Sequence, residues 1–140
     1  MAQRTKRVTV LYDGDCGFCR WVTAWLIRWD RPHRLDVEPI QGPEGTRMLA
    51  DLSPQERLRS WHCVDETGKR ASGGAAFPFV FQVLPGGIPL ARLTRSLPGA
   101  VDAAYRFVAG WRRFWGRLLP RRSIERADSI LEKRKIENRK

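Results

Sequence analysis

Val8-Thr9-Val10-Leu11-Tyr12-Asp13-Gly14-Asp15-Cys16-Gly17-Phe18-Cys19 reads as a strand, a turn and the opening of a helix. Val8–Tyr12 is β-branched and aromatic, with charge before it and Asp13-Gly14-Asp15 after it, the pattern of a buried strand that stops at a turn. From Gly17 to Trp29 the apolar residues Phe18, Val22, Trp25, Leu26 and Trp29 recur at helical spacing. Asp30-Arg31-Pro32 closes that helix, because a proline disfavours helical geometry in the residue before it. Leu35-Asp36-Val37-Glu38-Pro39-Ile40 then alternates with period two and predicts a second strand. Strand, helix and strand at this spacing make a βαβ unit, with parallel strands joined by a right-handed crossover.

Beyond this unit, Glu44 to Leu52 predicts a short helix. Ser53-Pro54-Gln55-Glu56 supplies an N-cap, a first-turn proline and an acid at the start of another. Trp61–Asp65 predicts a strand, returned by Glu66-Thr67-Gly68 into a short partner around Arg70-Ala71-Ser72. Gly73-Gly74 leads into a predicted helix over Ala75–Leu84, Pro85-Gly86-Gly87 is a turn, and Pro98-Gly99 precedes a long helix from Ala100 to about Leu119. This order predicts a thioredoxin-like α/β sandwich with extra C-terminal helices. The domain spans residues 1–120, and 121–140 form a basic helical extension.

At 140 residues the chain is one domain by length. An apolar fraction of 42% supports an ordinary core and excludes a disordered chain. Three cysteines do not make a secreted disulfide scaffold, and no apolar run approaches the roughly 18–20 residues of a membrane span. The basic leader Met1 to Arg7 precedes too short an apolar stretch for a signal-peptide core, so a cytoplasmic protein with reduced thiols is expected. The net charge of +11 is uneven: residues 1–105 carry +3 and residues 106–140 carry +8. Any anionic partner therefore concerns the C-terminal quarter.

Two cysteines separated by two residues at a helix start lie within reach of one disulfide. Cys16 falls where unpaired backbone N–H groups and the helix dipole favour a thiolate. Cys19, one turn inward, is suited to resolving a mixed disulfide. Placed between a strand and a helix, the pair favours redox chemistry needing no metal or organic cofactor. Asp15, beside Cys16, opposes the dipole by raising the thiol pKa, and which effect wins is open at this stage. Asp13, at the strand end, is a candidate acceptor or relay for the Cys19 proton. Other readings compete. The two cysteines could be small buried residues and nothing more. Cys16, Cys19, His62 and Cys63 supply zinc-ligand types, but His62 and Cys63 are neighbours on a strand and point to opposite faces. The Asp13-Gly14-Asp15 run also resembles the start of haloacid-dehalogenase phosphatases, but Gly17 stands where those have Thr, and no second acidic pair follows at a strand end. Cys63 reads as a buried strand residue and His62 as an exposed one. Trp21, Trp25 and Trp29 read as core, with Trp21 a possible groove residue.

The run Leu11-Tyr12-Asp13-Gly14-Asp15-Cys16-Gly17-Phe18-Cys19 resembles the DCC family of predicted thiol-disulfide oxidoreductases, named for an Asp and two Cys in a DGxCxxC pattern. Asp13, Cys16 and Cys19 match it, and the likeness extends over roughly residues 8–120. It implies a thioredoxin-like fold and a redox role with an undefined disulfide or dithiol substrate. Thioredoxins place a cis-proline just before the strand facing the CxxC, where it helps hold substrate backbone. Here that position reads Arg59-Ser60-Trp61.

Near the C-terminus, Trp111, Phe114, Trp115, Leu118 and Leu119 form an apolar stripe interleaved with Arg112, Arg113, Arg117, Arg121 and Arg122. The expectation is that the stripe packs on the sheet while the arginines reach outward. An anionic membrane surface is the alternative partner. Nucleic acid has only charge in its favour, so no specific nucleic-acid partner is expected. Pro120 separates a last helix, predicted from an N-cap at Ser123. A non-catalytic module, with a structural CxxC and this basic segment engaging a membrane or an acidic partner, is the competing functional class.

Overall fold

The structure, a computed structural model, describes residues 7–138; the leader at 1–6 lies outside them. Strands β1 (Val8–Tyr12), β2 (Leu35–Pro39), β3 (His62–Asp65) and β4 (Arg70–Ser72) form a sheet of order β2-β1-β3-β4. β1 and β2 run parallel, Val10 opposite Val37, while β3 lies antiparallel to both β1 and β4. The crossover between β1 and β2 is helix α1 (Gly17–Trp29), so the expected βαβ unit is present and the fold is the α/β thioredoxin-like one.

Alternation along β1 and β3 builds two cores. Val8, Val10, Tyr12 and Cys63 face one side, where Ala24 and Ile27 of α1 meet Val80 and Val83. Leu11 and Val64 face the other, against Ile40 and Leu49. Full burial of such aliphatic side chains contributes about 1.5–3 kcal/mol each. Helix α2 (Pro43–Met48) and helix α3 (Pro54–Arg59) follow β2. The predicted N-cap of α3 is realised as a reciprocal box: Glu56 N–H donates to Ser53 Oγ at 3.2 Å, and Ser53 N–H to the Glu56 carboxylate at 3.3 Å.

After β4 the chain passes through a short 3-10 turn, Gly73–Ala76, into α4 (Phe77–Phe81), α5 (Ile88–Ser96), α6 (Pro98–Gly110), α7 (Arg112–Leu118) and α8 (Arg121–Asn138). Two glycines let α6 lie against the turn. Gly73 has φ +61°, and a Cβ at Gly74 would fall 2.5 Å from Asp102 Cα. Helix α5 lies between the two turns read from the sequence, in a stretch to which the sequence reading assigned no element; its Ile88, Leu90 and Leu93 are exposed, and Ala91 alone is buried. The long helix expected from Ala100 to Leu119 is two, separated at Trp111. The last helix begins at Arg121 rather than from a cap at Ser123, whose N–H bonds Pro120 O at 3.0 Å.

Helix α8 packs along α1 and β2. Ala127 and Leu131 enter the first core. Arg134 is 4% exposed, and its Nη1 donates to Asp30 Oδ2 at 2.6 Å and to Leu35 O at 3.0 Å. Asp30 caps the C-terminal end of α1 and also accepts the N–H groups of Arg34 and Leu35. Because α1, α4 and α8 already cover that face of the sheet, the aromatic stripe of α7 does not pack there. Trp111, Phe114, Trp115 and Leu118 are 40–60% exposed, which corrects the expectation of a core helix.

Candidate active site

Tyr12 ends β1, and the next four residues set the thiol pair. Asp15 N–H donates to Asp13 Oδ1 at 3.0 Å, an Asx turn, and Cys16 N–H returns to Asp13 O at 3.2 Å. Gln41 fastens this turn to the chain beyond β2: its amide donates to Asp13 Oδ1 at 2.7 Å, and its carbonyl accepts Gly14 N–H at 2.9 Å. The turn delivers Cys16 in extended geometry (φ −100°, ψ 113°) as the N-cap of α1, where its sulfur accepts Cys19 N–H at 3.3 Å. A cysteine thus fills the place usually taken by Ser, Thr or Asp, and the first-turn N–H points at sulfur.

The electrostatic outcome follows. Hydrogen bonding from the Cys19 thiol and backbone N–H, with Arg112 nearby, lowers the Cys16 pKa to about 6 against burial and the charge of Asp13. The opposing acid is Asp13, not the exposed Asp15 feared from sequence. Cys19 moves strongly upward, through its hydrogen bond to Cys16 and through burial. One sulfur is therefore the thiolate and the other the protonated donor. Both are half-buried free cysteines.

Cys19 lies in the wall of an apolar cleft of about 130 Å³, with Phe18, Val22 and Leu26 of α1 on one side and Trp61, Phe81 and Tyr105 on the other. Asp13 lies at the same cleft. The apolar stripe of α1 predicted from spacing thus lines the cleft more than the core; the buried residues of α1 are Thr23, Ala24 and Ile27. A wider groove of about 680 Å³ continues from the cleft past Arg59, Arg106 and Arg112.

The structure brings Asp13, Cys16 and Cys19 together at this place. Other singled-out residues lie elsewhere. Cys63 is fully buried in the core, and burial alone pushes its thiol up. His62 is 2% exposed, not the exposed strand residue the sequence implied, because α3 folds over it. Its Nε2–H donates to Arg57 O at 2.9 Å, and Nδ1 lies 2.6 Å from the Ser72 hydroxyl; burial lowers the ring's pKa and so favours the neutral form, in which Nδ1 accepts from Ser72. Trp21 is not part of the cleft wall. Trp25 is 52% exposed, so the tryptophan series is not the core stripe expected from its spacing.

Three contributors escaped the sequence. Arg112 opens α7 and faces the thiols electrostatically while donating to Leu58 O at 3.2 Å. Tyr105 of α6 accepts Trp61 N–H at 3.0 Å, at the very stretch where thioredoxins carry the cis-proline; among the described residues every peptide bond is trans. Gln41 braces the turn. Gly73-Gly74 permits the close approach of α6 that brings Tyr105 to the cleft.

A βαβ-led sheet of this order, with a lowered-pKa thiol capping its crossover helix and a second thiol one turn inward, defines a thioredoxin-like protein with a CxxC pair. The pattern of the DCC1-like thiol-disulfide oxidoreductase family matches residues 10–118, and the chain belongs to that family. Membership supports a general redox role. No curated protein and no solved structure matches the chain.

Proposed function

We propose that the protein is a thiol-disulfide oxidoreductase acting on a peptide or protein disulfide, with Cys16 as attacking thiolate, Cys19 as resolving thiol and Asp13 as the group that receives the Cys19 proton. The Cys16 thiolate attacks one sulfur of the substrate disulfide. A mixed disulfide forms, and the departing substrate thiolate takes a proton from water. Cys19 then yields its proton to Asp13, directly or through water, and its sulfur attacks Cys16. The Cys16–Cys19 disulfide forms and the second substrate thiolate leaves. Two electrons pass from the dithiol to the substrate, and a second dithiol restores the enzyme by the same exchange in reverse. Sulfur carries both electrons throughout.

The observation that carries this reading is the division of labour between the thiols: one cysteine is the N-cap with a pKa near 6, and its partner is held protonated at the wall of a cleft. The groove beside Arg59 and Arg106 offers room for chain on either side of a substrate cysteine. A cytoplasmic setting, where such a pair is kept reduced, belongs to the same proposal.

The test is reduction of insulin disulfides by the full chain with dithiothreitol as donor. Cys16→Ser is expected to abolish catalysis, and Cys19→Ser to trap a substrate adduct on Cys16 visible by intact mass. Wild-type protein no faster than Cys16→Ser would overturn the proposal and leave the non-catalytic binding module.

A further inference from the structure

Phe107, Trp111, Phe114, Trp115 and Leu118 recur at spacings of four, three, one and three across α6 and α7. All five are exposed, Phe107 by 70%. Trp111 joins the two helices directly: its N–H bonds Val108 O at the end of α6, and its carbonyl accepts Trp115 N–H of α7. Trp111 meets Phe114 edge-on at 6.0 Å, and Phe114 meets Trp115 the same way at 5.6 Å, so the rings form one patch. Scattered exposed apolar residues are ordinary on a protein surface; a contiguous patch marks an interaction site.

Charge says what kind. From Ala103 to Ile124 the sequence holds six arginines and no acidic residue. Arg117, Arg121 and Arg122 are exposed and pair with no carboxylate among the described residues. A second copy of the chain would bring this acid-free face against its own like charges, since a two-fold interface apposes the same patch. The edge-on packing of the rings against one another leaves few open faces on which nucleic-acid bases could stack. Aromatic rings beside arginines on a surface helix match the lipid-water boundary, where rings sit among headgroups and guanidinium groups meet phosphates. Among the described residues no helix is long and apolar enough to cross a membrane, so such a helix would lie in the surface plane.

We propose that α7 and the end of α6 dock the protein on an anionic membrane surface, with Trp111, Phe114, Trp115 and Leu118 entering the headgroup layer and Arg117, Arg121 and Arg122 meeting lipid phosphates. Arg112 opens α7 and lines the thiol cleft, so the helix that docks also contributes to the wall of that cleft. The proposal does not depend on the redox reading, and its test needs no turnover.

The experiment is co-sedimentation of the full chain with phosphatidylcholine vesicles, with and without phosphatidylserine, at low and high salt. Binding is expected only with phosphatidylserine and is expected to weaken with salt. The triple variant Arg117→Glu, Arg121→Glu, Arg122→Glu is expected to bind at least about a hundredfold more weakly, from the loss of three basic residues near the surface. Trp111→Ser with Phe114→Ser is expected to lose binding while keeping the wild-type circular dichroism. Should that pair unfold, quenching of wild-type tryptophan emission by brominated lipid reads the same insertion. Absence of binding at low salt, or full binding by both variants, overturns the proposal. So does single-stranded RNA binding that vesicles fail to displace, or a solution dimer abolished by Trp111→Ser.

Discussion

Lowering the pH should leave Cys16 reactive after an ordinary cysteine has fallen silent. With a pKa of about 6, roughly nine-tenths of Cys16 is thiolate at pH 7, against about 3% of a free cysteine with pKa about 8.5. A less basic thiolate is also a weaker nucleophile. With a Brønsted slope of about 0.4–0.5, a pKa lower by about 2.5 slows each thiolate roughly an order of magnitude. At pH 7 the two effects nearly cancel, and Cys16 should alkylate only about twofold faster than a free thiol. At pH 6 the ratio of thiolate fractions exceeds about a hundred, and the net advantage grows to about tenfold. Alkylation of the reduced protein by iodoacetamide, followed by peptide mass from pH 4.5 to 9, reads this directly. The wild-type profile should have its midpoint near 6. Cys19→Ala removes the largest stabilising contribution and should move the midpoint up the most, with Arg112→Gln moving it up by less. A wild-type midpoint above 8, or an unmoved profile in Cys19→Ala, would refute the thiolate assignment and the reasoning behind it.

Arg134→Met strands Asp30 with two backbone N–H donors and no cation, and urea denaturation should show a loss of about 3–5 kcal/mol; less than about 1 would mean the pair is hydrated. Gly74→Ala places a methyl against the backbone of Asp102. It should cost about 1–3 kcal/mol and raise amide exchange at Trp61, whose N–H depends on Tyr105 of the displaced helix. Burial lowers the His62 pKa, so the unfolded chain takes up its proton first. Stability should therefore be intact above about pH 6.5 and fall as the pH drops below it, a slope that should flatten in His62→Gln.

What the sequence could disclose depended on how local the signal was. β1, the turn and α1 were legible because alternation, Asp13-Gly14-Asp15 and helical spacing all lie within a short window. The Ser53–Glu56 box was readable for the same reason. The exposure of His62 was misjudged because its partners, Arg57 O and Ser72, depend on how α3 and β4 close over β3. The α7 stripe looked like core because an apolar helix face does not reveal whether the sheet it might cover is already taken. Asp30 was read as a helix end; nothing near it announces a guanidinium 104 residues further on. Asp13, Cys16 and Cys19 were visible through one motif, whereas Arg112 and Tyr105 reach the cleft only through tertiary packing.

The family pattern stops at residue 118, yet the clasp on the far end of the reactive helix is supplied by Arg134. A fragment trimmed to the recognisable domain would keep every sulfur and lose the guanidinium that neutralises Asp30, together with the Ala127 and Leu131 side chains that seal α1 from solvent. Work on a minimal version of this protein would study a loosened helix, and the shortest faithful unit runs through the final turn of α8.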